Sequence, residues 1–397
     1  MPNLSNRAHT LPASPIRKLA PFADAAKKKG IKVFHLNIGQ PDIPTPPQFF
    51  QAIQNANLDV LSYSPSPGYD GLRQAIANYY AGIGHEISTD EVLVTTGASE
   101  ALNFILAATL NTGDEVIIPE PFYANYLSFC QAYDAKVVPI ATHLEDNFAL
   151  PSIAAFEEKI TDRTRAIMIC NPGNPTGILY PQQSLEQLRQ ICLKHNLFLI
   201  SDEVYREFTY DGLQHHSVLG LDGISEHAIV VDSISKRFSA CGARIGCVIS
   251  KNQALMQAIM KMAQARLSPP TFGQIGAEAV YSLPPEYYQG IVQEYSERRD
   301  TLKQALSEIE GVVCPEINGA FYAMVGLPVE DADDFCRWML EEFQYLGQTV
   351  MLAPGAGFYS TQGSGKNQVR IAYVLKKDDL KDAMTVLAEG LKAYNAG

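Results

Sequence analysis

The chain has 397 residues, of which 46% are hydrophobic and 19% are charged, and its formal net charge is -12. This length and composition exclude global disorder and predict a large core, in two domains or in one large domain with a smaller neighbour. The acidic charge, without a long Lys/Arg run, disfavours binding to nucleic acid or to an anionic membrane surface.

The first 285 residues carry the pattern of a covered parallel sheet. Residues 1–45 are polar and interrupted by proline and glycine, and prolines 44, 46 and 47 close this segment. Short apolar runs then predict strands at 92–94, 115–118, 136–138, 166–169, 197–200, 228–231 and 246–249. Amphipathic stretches between them predict helices near 99–110, 122–133, 151–160 and 182–195. Continuous Val/Ile runs alternating with helices indicate an α/β fold with a mainly parallel sheet between helices.

The pattern changes from about residue 285. A long polar helix at 285–309 is followed by shorter strands at 321–324 and 369–372 and by helices near 331–345 and 377–394. This change predicts a separate, small α+β domain. We therefore expect a large domain at 46–285 and a small domain formed by both termini, 1–45 and 286–397.

Cysteine usage and targeting signals bear on the compartment. No apolar targeting segment is visible at the N-terminus, and no window of about 18 apolar residues predicts a membrane span. The seven cysteines are scattered without Cys-x-x-Cys spacing, and the eight histidines show no ligand spacing beside them. This usage predicts a cytoplasmic protein with reduced thiols and without a metal site.

Two charged residues lie just after predicted buried strands, where ligands of parallel sheets bind. Asp202 could be a helix cap at a strand end, or it could pair with a protonated ring nitrogen, which would make a pyridine ring an electron sink. Lys236 could be an ordinary surface lysine. Beyond a strand end, however, its amine could be partly desolvated and form a Schiff base with an aldehyde.

Three further segments favour anion binding or a rigid turn. Arg244 stands between glycines in Gly-Ala-Arg-Ile-Gly, where its guanidinium could grip a phosphate. At Gly97 a strand turns into a helix whose first amides are unpaired, although any strand–glycine–helix junction has this pattern. The segment 171–177 has two Asn, two Pro and two Gly. It is an ordinary loop, or a rigid turn in which Asn174 donates to a ring hydroxyl or a carboxylate.

Four segments carry these features, around Gly97, at 171–177, around Asp202, and from Lys236 to Arg244. Together they resemble the fold type I pyridoxal 5′-phosphate (PLP) enzymes and, within them, the class I aminotransferases. The chain looks closest to the subgroup that holds many bacterial aspartate aminotransferases, and the resemblance extends from residue 36 to residue 372. It implies PLP as the cofactor and α-amino acids and 2-oxo acids as substrates. Aspartate is the first expected donor, a broader or neutral or aromatic donor is the alternative, and 2-oxoglutarate is the expected acceptor. It also implies a homodimer with shared active sites.

The resemblance implies a role for individual residues. Lys236 would bind the cofactor covalently and then act as the base, Asp202 would pair with the ring nitrogen, and Tyr205 would bond the ring hydroxyl. The remaining implied cofactor contacts are Ala98, Ser99, Ser233, Ser235 and Arg244 for the phosphate, Tyr123 for stacking, Asn174 beside Tyr205, and Tyr63 reaching the phosphate from the neighbouring subunit. Arg370 would grip the substrate α-carboxylate, helped by Asn174 and the backbone of Gly39.

Some residues depart from the pattern of the family. Cys241 stands where a proline or threonine often precedes the glycine. Some bacterial aspartate enzymes carry a lysine where Ser99 stands, and that lysine contacts the distal carboxylate of the substrate. Arg266 lies near the segment that supplies an arginine in another subgroup, but in a different register. The sequence therefore leaves the partner of a distal carboxylate open.

Two other functions fit parts of the same pattern. A PLP lyase or synthase, such as a carbon–sulfur lyase, would use the same residues around the cofactor, and release of ammonia and pyruvate would distinguish it. A PLP-sensing regulator without catalysis would usually carry an N-terminal helix-turn-helix, for which residues 1–45 are too short and too interrupted by proline. An aminotransferase is the function that the sequence favours.

Overall fold

The computed structural model describes residues 2–11 and 14–397. The helices of these residues are α1 (Asn6–Thr10), α2 (Ala20–Lys28), α3 (Pro47–Gln54), α4 (Asp70–Gly82), α5 (Gly97–Thr109), α6 (Asn125–Ala132), α7 (Ile153–Glu157), α8 (Gln182–His195), α9 (Ile234–Arg237), α10 (Gln253–Arg266), α11 (Thr271–Tyr281), α12 (Pro285–Ser307), α13 (Ala332–Glu341) and α14 (Lys377–Ala396). The strands are β1 (Lys32–His35), β2 (Val92–Thr95), β3 (Glu115–Glu120), β4 (Lys136–Ala141), β5 (Thr164–Cys170), β6 (Phe198–Asp202), β7 (Ala228–Ser233), β8 (Gly246–Ile249), β9 (Tyr322–Gly326), β10 (Gln348–Met351), β11 (Ala353–Pro354) and β12 (Gln368–Ala372).

Seven strands form one large sheet in the order β2-β8-β7-β6-β5-β3-β4. The pairs β3–β4, β3–β5, β5–β6 and β6–β7 are parallel, and β8 runs antiparallel to both of its neighbours. The seven apolar runs between residues 92 and 249 that predicted strands all correspond to strands of this sheet. The predicted α/β class with a mainly parallel sheet is therefore confirmed.

Side chains of the central strands are buried on both faces of the sheet. Along β7, Ala228 and Val230 belong to one apolar cluster, whereas Ile229 and Val231 belong to another. Successive side chains of a strand point to opposite faces, so a strand covered by helices on both sides needs apolar residues at every position. This requirement explains the continuous Val/Ile runs of the sequence.

The C-terminal third forms smaller sheets of its own. Strands β11, β12 and β9 form an antiparallel sheet, and β10 pairs in parallel with β1 from the N-terminal segment. Leu19 and Phe34 pack in one apolar cluster with C-terminal residues such as Leu387. The domain limits of 46–285 and of 1–45 with 286–397 stay a prediction, and Met1, Pro12 and Ala13 of the latter lie outside the described residues.

Several elements lack a counterpart in the sequence analysis, among them β1, β10, α2–α4, α10 and α11. Pro47, one of the prolines that close the N-terminal segment, is the first residue of α3. Proline is compatible with the first turn of a helix because the amides there have no intrahelical acceptor. Within the described residues, no helix combines the length and the apolar character that a membrane span needs.

Candidate active site

A cavity of about 550 Å³ opens at the carboxyl ends of β5, β6 and β7, next to the start of α5 and to β12. This volume suits a small-molecule ligand. Of the thirteen predicted site residues, all except Tyr63 line it: Gly39, Ala98, Ser99, Tyr123, Asn174, Asp202, Tyr205, Ser233, Ser235, Lys236, Arg244 and Arg370. The strand ends thus bring together residues that are far apart in the sequence.

Asp202 is the last residue of β6 and is only 5% exposed. Its carboxylate accepts a hydrogen bond from the Tyr126 hydroxyl at 2.7 Å and one from the Val204 amide at 3.4 Å. Burial raises the pKa of Asp202 to about 6, and the hydrogen bond from Tyr126 opposes that rise. Among the described residues, no cation lies within ion-pair distance of this carboxyl. A ligand cation beside it would relieve the cost of burial.

Lys236 lies in the short helix α9, which Ser233 caps at the end of β7. Its Nζ donates to the carbonyl of Gly39 at 2.8 Å and lies 3.9 Å from the Sγ of Cys241. Within the described part of the chain, the amine has a carbonyl for a partner and no carboxylate. A half-buried amine that faces the cavity in this way is available for reaction with a carbonyl ligand.

Arg370 is a fully buried cation in β12, 1% exposed. Its guanidinium donates to Oδ1 of Asn174 at 2.9 Å and to the carbonyl of Asn37 at 2.5 Å, while its Nε has no partner. The ring of Tyr322 lies 4.5 Å from the guanidinium. Burial lowers the pKa of Arg370, but an arginine remains charged in proteins. A buried guanidinium with an unused donor and without an acidic partner suits a carboxylate ligand.

The start of α5 and Arg244 bring two positive groups together. The guanidinium of Arg244 lies so close to Gly97 that a Cβ at Gly97 would overlap with it. It donates to the carbonyls of Cys241 at 3.1 Å and of Thr96 at 3.5 Å. A helix N-terminus is itself positive, so a cation beside it is unfavourable unless an anion lies between them. This pair therefore fits the phosphate of the expected cofactor.

Hydroxyl and amide groups connect Arg370 with Tyr205. The Tyr205 hydroxyl lies 2.9 Å from the Tyr322 hydroxyl and 3.5 Å from Nδ2 of Asn174, whose Oδ1 accepts from Arg370. Burial raises the pKa of Tyr205 well above its usual value, so the group is a neutral hydroxyl at pH 7. A Cβ at Gly39 would overlap with the Tyr322 hydroxyl, so glycine permits this close approach.

Tyr123 lines the cavity with its ring edge-to-face against Tyr126, the centroids being 5.4 Å apart. Burial raises the pKa of Tyr123 to about 12. Its hydroxyl accepts a hydrogen bond from Asn125 at 2.8 Å. The ring is thus fixed at the cavity wall, as stacking on a planar ligand requires.

Several cavity residues escaped the sequence analysis. Arg17, Asn125 and Tyr322 line the cavity, and the hydroxyl of Tyr126 donates a hydrogen bond to the carboxylate of Asp202. Tyr322 stood within a predicted strand, so alternation along that strand could have indicated its direction. The remaining lining residues without a predicted role are Ser14, Ile16, Ile38, Cys170, Val204 and Cys241. No local pattern singles out Arg17.

Tyr63 and Arg266 lie elsewhere. Tyr63 is 78% exposed and does not line the cavity of its own chain, so its role towards a neighbouring subunit stays a prediction. Arg266 forms an ion pair with Glu100 at 2.6 Å and donates to the carbonyl of Ser66 at 2.9 Å. Because its charge is already balanced, Arg266 is a poor candidate for a substrate carboxylate.

Comparison with known proteins gives the family. The sequence model of the family of class I and II aminotransferases matches residues 31–387. The chain belongs to this aminotransferase family. An aspartate aminotransferase of Bacillus subtilis is 32% identical over 392 residues, which cover 96% of this chain and 97% of the relative. This agreement confirms the predicted class of enzyme, a PLP-dependent aminotransferase, and its fold type.

Relatives of this aminotransferase are named for different amino acids. An aromatic-amino-acid aminotransferase of Thermococcus litoralis is 30% identical over 402 residues, which cover 98% of each chain. The solved structure of an alanine aminotransferase from Pyrococcus furiosus has a TM-score of 0.90 and 32% identity, and the match covers 98% of this chain and all of that one. Membership of the family therefore leaves the amino donor of this aminotransferase open.

Proposed function

We propose that this aminotransferase binds PLP in the cavity and moves the amino group of aspartate to 2-oxoglutarate. The observation that carries the proposal is the balance of charge in the cavity. Three of the cations that line it, Lys236, Arg244 and Arg370, have no acidic partner among the described residues, and one buried carboxyl, Asp202, lacks a cation. A phosphate, an aldehyde, a ring nitrogen and a substrate carboxylate would satisfy all four.

Each group of the cofactor has a partner of matching chemistry. Arg244, the amides of Ala98 and Ser99, and the hydroxyls of Ser233 and Ser235 would hold the phosphate. Asp202 would hold the ring nitrogen, Tyr205 with Asn174 the ring hydroxyl, and Lys236 the aldehyde. Tyr123 would stack on the ring. When bound, PLP supplies an aldehyde that accepts the amino group and a ring that withdraws electrons from the substrate Cα.

Residues of the chain would orient the substrate and move its proton. Arg370 would hold the α-carboxylate through its unused donors, which fixes the direction of the Cα–H bond. Lys236, displaced by the amino group of the substrate, would then take the proton from Cα, because it is the one amine among the described residues that line the cavity. The buried carboxylate of Asp202 would keep a proton on the ring nitrogen.

We also propose that the protein is a homodimer. Leu58, Val60 and Leu61 precede Tyr63, and all four side chains are between 44% and 78% exposed. Phe272 is 45% exposed on α11, which packs against α3 just before this segment in the chain. A group of large exposed apolar side chains is typical of a protein interface. Light scattering at working concentration tests this point, and a mass near 43.6 kDa would contradict it.

Two measurements test the cofactor and the reaction. The protein is loaded with PLP, treated with borohydride and digested, and we expect the pyridoxyl mass on the peptide that contains Lys236. The loaded protein is then mixed in turn with aspartate, alanine and phenylalanine, and the conversion of the cofactor to its amine form is followed by absorbance. We expect the fastest conversion with aspartate and its reversal by 2-oxoglutarate.

The outcomes separate the parts of the proposal. Label on another lysine would contradict the assignment of Lys236. Conversion by alanine or phenylalanine alone would keep the transfer reaction and reject aspartate. Release of ammonia and pyruvate, without an amino group left on the cofactor, would mean a lyase reaction instead.

A further inference from the structure

Arg17 lines the cavity but has no part in the function proposed above. It precedes α2, and its side chain is exposed. Among residues 2–11 and 14–397, no side chain or carbonyl forms a hydrogen bond or ion pair with its guanidinium. Lysine 18, the next residue, is by contrast paired with Asp333. Arg17 is therefore an available cation at the rim of the cavity.

The backbone before Arg17 is anchored to the same residue that holds Arg370. The side-chain amide of Asn37 donates to the backbone carbonyl of Ile16 at 2.8 Å, and the backbone carbonyl of Asn37 accepts from Arg370 at 2.5 Å. One residue thus sets the spacing between the rim segment and the arginine proposed for the α-carboxylate. Both guanidinium charges also act on the ring of Tyr123, where they oppose the rise in pKa that burial causes.

Two apolar contacts hold the rim segment on its other sides. Pro15 packs so closely on Gly357 that a Cβ there would overlap with the proline ring, and Leu19 is 5% exposed in an apolar cluster. The backbone around Arg17 is therefore fixed although the guanidinium is free. A cation held in this way loses less freedom on binding than one on a loose loop.

Among the described residues that line the cavity, four are cations and one, Asp202, is acidic. The proposed function uses Lys236, Arg244 and Arg370 for the aldehyde, the phosphate and the α-carboxylate. Arg17 remains without an anion. Ser99, at the start of α5, offers no charge for a second carboxylate.

We propose that Arg17 binds the distal carboxylate of a dicarboxylic substrate and selects such substrates over neutral and aromatic amino acids. The inference rests on the proposed function, since it needs Arg370 at the α-carboxylate. One arginine would then hold each carboxylate of the substrate, Arg370 the α-carboxylate and Arg17 the distal one. A planar guanidinium can grip a carboxylate in two places, and the exposed rim leaves room for side chains of different length.

Binding of unreactive acids to the PLP-loaded protein tests the inference directly. Succinate and butyrate have the same chain length and differ in one carboxylate. Calorimetry should show that Arg17→Gln weakens succinate binding about 10- to 100-fold, the range for a hydrogen bond to a charged group, and leaves butyrate unchanged. Arg17→Glu should weaken succinate further. Lys18→Gln removes the same charge one residue away and should change neither.

Turnover separates a failure of this inference from a failure of the proposed function. In Arg17→Gln, we expect a higher KM for aspartate and an unchanged kcat and KM for alanine. Equal binding of succinate by the wild type and Arg17→Gln, or an equal loss with alanine and aspartate, overturns the role of Arg17. The transfer reaction itself is then judged by the wild type: transfer from alanine or phenylalanine keeps it, and no transfer from any amino acid rejects it.

Discussion

Two groups of buried charges lie at neighbouring strand ends of the large sheet, and they differ in how charge is balanced. In the ion cluster of Glu203, Arg206, Asp232 and Arg237, cations face carboxylates: Arg237 donates to Asp232 at 2.8 Å, and Arg206 lies 3.9 Å from Glu203. In the cavity, the described residues give neither Asp202 nor Arg370 a partner of opposite charge. The Arg237–Asp232 pair of the ion cluster is balanced by the protein itself, although burial raises the pKa of Glu203 to about 7. The charges of the cavity are left for a ligand to balance.

This difference separates stability from function. A charge in the ion cluster should stabilise the fold through its partner, because removing one member leaves the other buried and unpaired. A charge in the cavity should lower the stability of the ligand-free protein, because its burial is not compensated. Substitutions in the two groups should therefore have opposite effects on the free energy of unfolding.

The largest effect is expected at Lys236. Lys236→Ala removes the amine that would hold the aldehyde and move the Cα proton, so turnover should fall at least about 10⁴-fold. The free energy of unfolding of the ligand-free protein should stay the same or rise, because no acidic side chain is left unpaired. Aspartate turnover and urea unfolding check the two parts. Normal turnover in this variant would reject the active site as described.

In the ion cluster, Arg237→Met should act in the opposite way. The change leaves Asp232, which is fully buried, without its cation, and it also removes the contact with Glu207 at 3.3 Å. Unfolding in urea should show a loss of about 3–5 kcal/mol, typical of a broken buried pair. Adding Asp232→Asn to the same chain should recover part of that loss. A stable single variant would mean that the cluster is not a source of stability.

The sequence predicted Asp202, Lys236 and the start of α5 as parts of the site because each follows a strand that its apolar run makes recognisable. The apolar runs before Asp202 and Lys236, and the strand–glycine–helix junction at Gly97, are local patterns, and the resemblance then supplied the roles. Charge and position in the chain left a helix cap, a surface lysine and an ordinary helix start open for these residues, and the resemblance decided between the alternatives. The helix α3 was not predicted, because a proline can begin a helix as well as end a segment.

Hydrogen bonds and packing contacts between segments that are distant in the sequence could not be predicted in this way. Tyr126 reaches Asp202 across 76 residues of sequence, and Tyr322 reaches Tyr205 across 117. No periodicity within a segment records such pairings, since they depend on how elements pack. Arg17 lies at the rim only because Asn37 and Gly357 fix the segment before α2.

Asp202 offers the clearest test of an uncompensated charge. Its pKa lies at about 6 in the folded chain, against a usual value of 3.8, so the folded state holds the proton more tightly than the unfolded state. Burial of this carboxyl therefore does not lower the free energy of unfolding below about pH 4. The loss of stability grows as the pH rises to about 6 and stays constant above. At pH 8 the cost is about 3 kcal/mol, from about 1.4 kcal/mol per pKa unit.

Asp202→Asn should consequently stabilise the ligand-free protein at pH 8, by up to about 3 kcal/mol, and change it little at pH 4. Asparagine can still accept the Tyr126 hydrogen bond through its carbonyl oxygen. Added PLP should protect the wild type from unfolding more than the variant, because only the wild type offers a charge to the ring nitrogen. Urea unfolding at both pH values checks the sign. A variant less stable than the wild type at pH 8 would contradict the contrast between the two groups.

Tyr126→Phe should give the smallest effect and sharpen the same point. The hydroxyl donates to the Asp202 carboxylate and lowers its pKa, so its loss should raise that pKa by about one unit, or about 1.4 kcal/mol. The stability of the ligand-free variant should then keep falling with rising pH beyond the point at which the wild type levels off. In the Asp202→Asn background, the same Tyr126→Phe change should leave the pH dependence unaltered. If the pH dependence moved equally in both backgrounds, Tyr126 would act through packing rather than through the carboxylate. A shift confined to chains that keep Asp202 would mean that the Tyr126 hydroxyl offsets part of the stability that the buried Asp202 charge removes. A bound ligand would then have to offset the remainder.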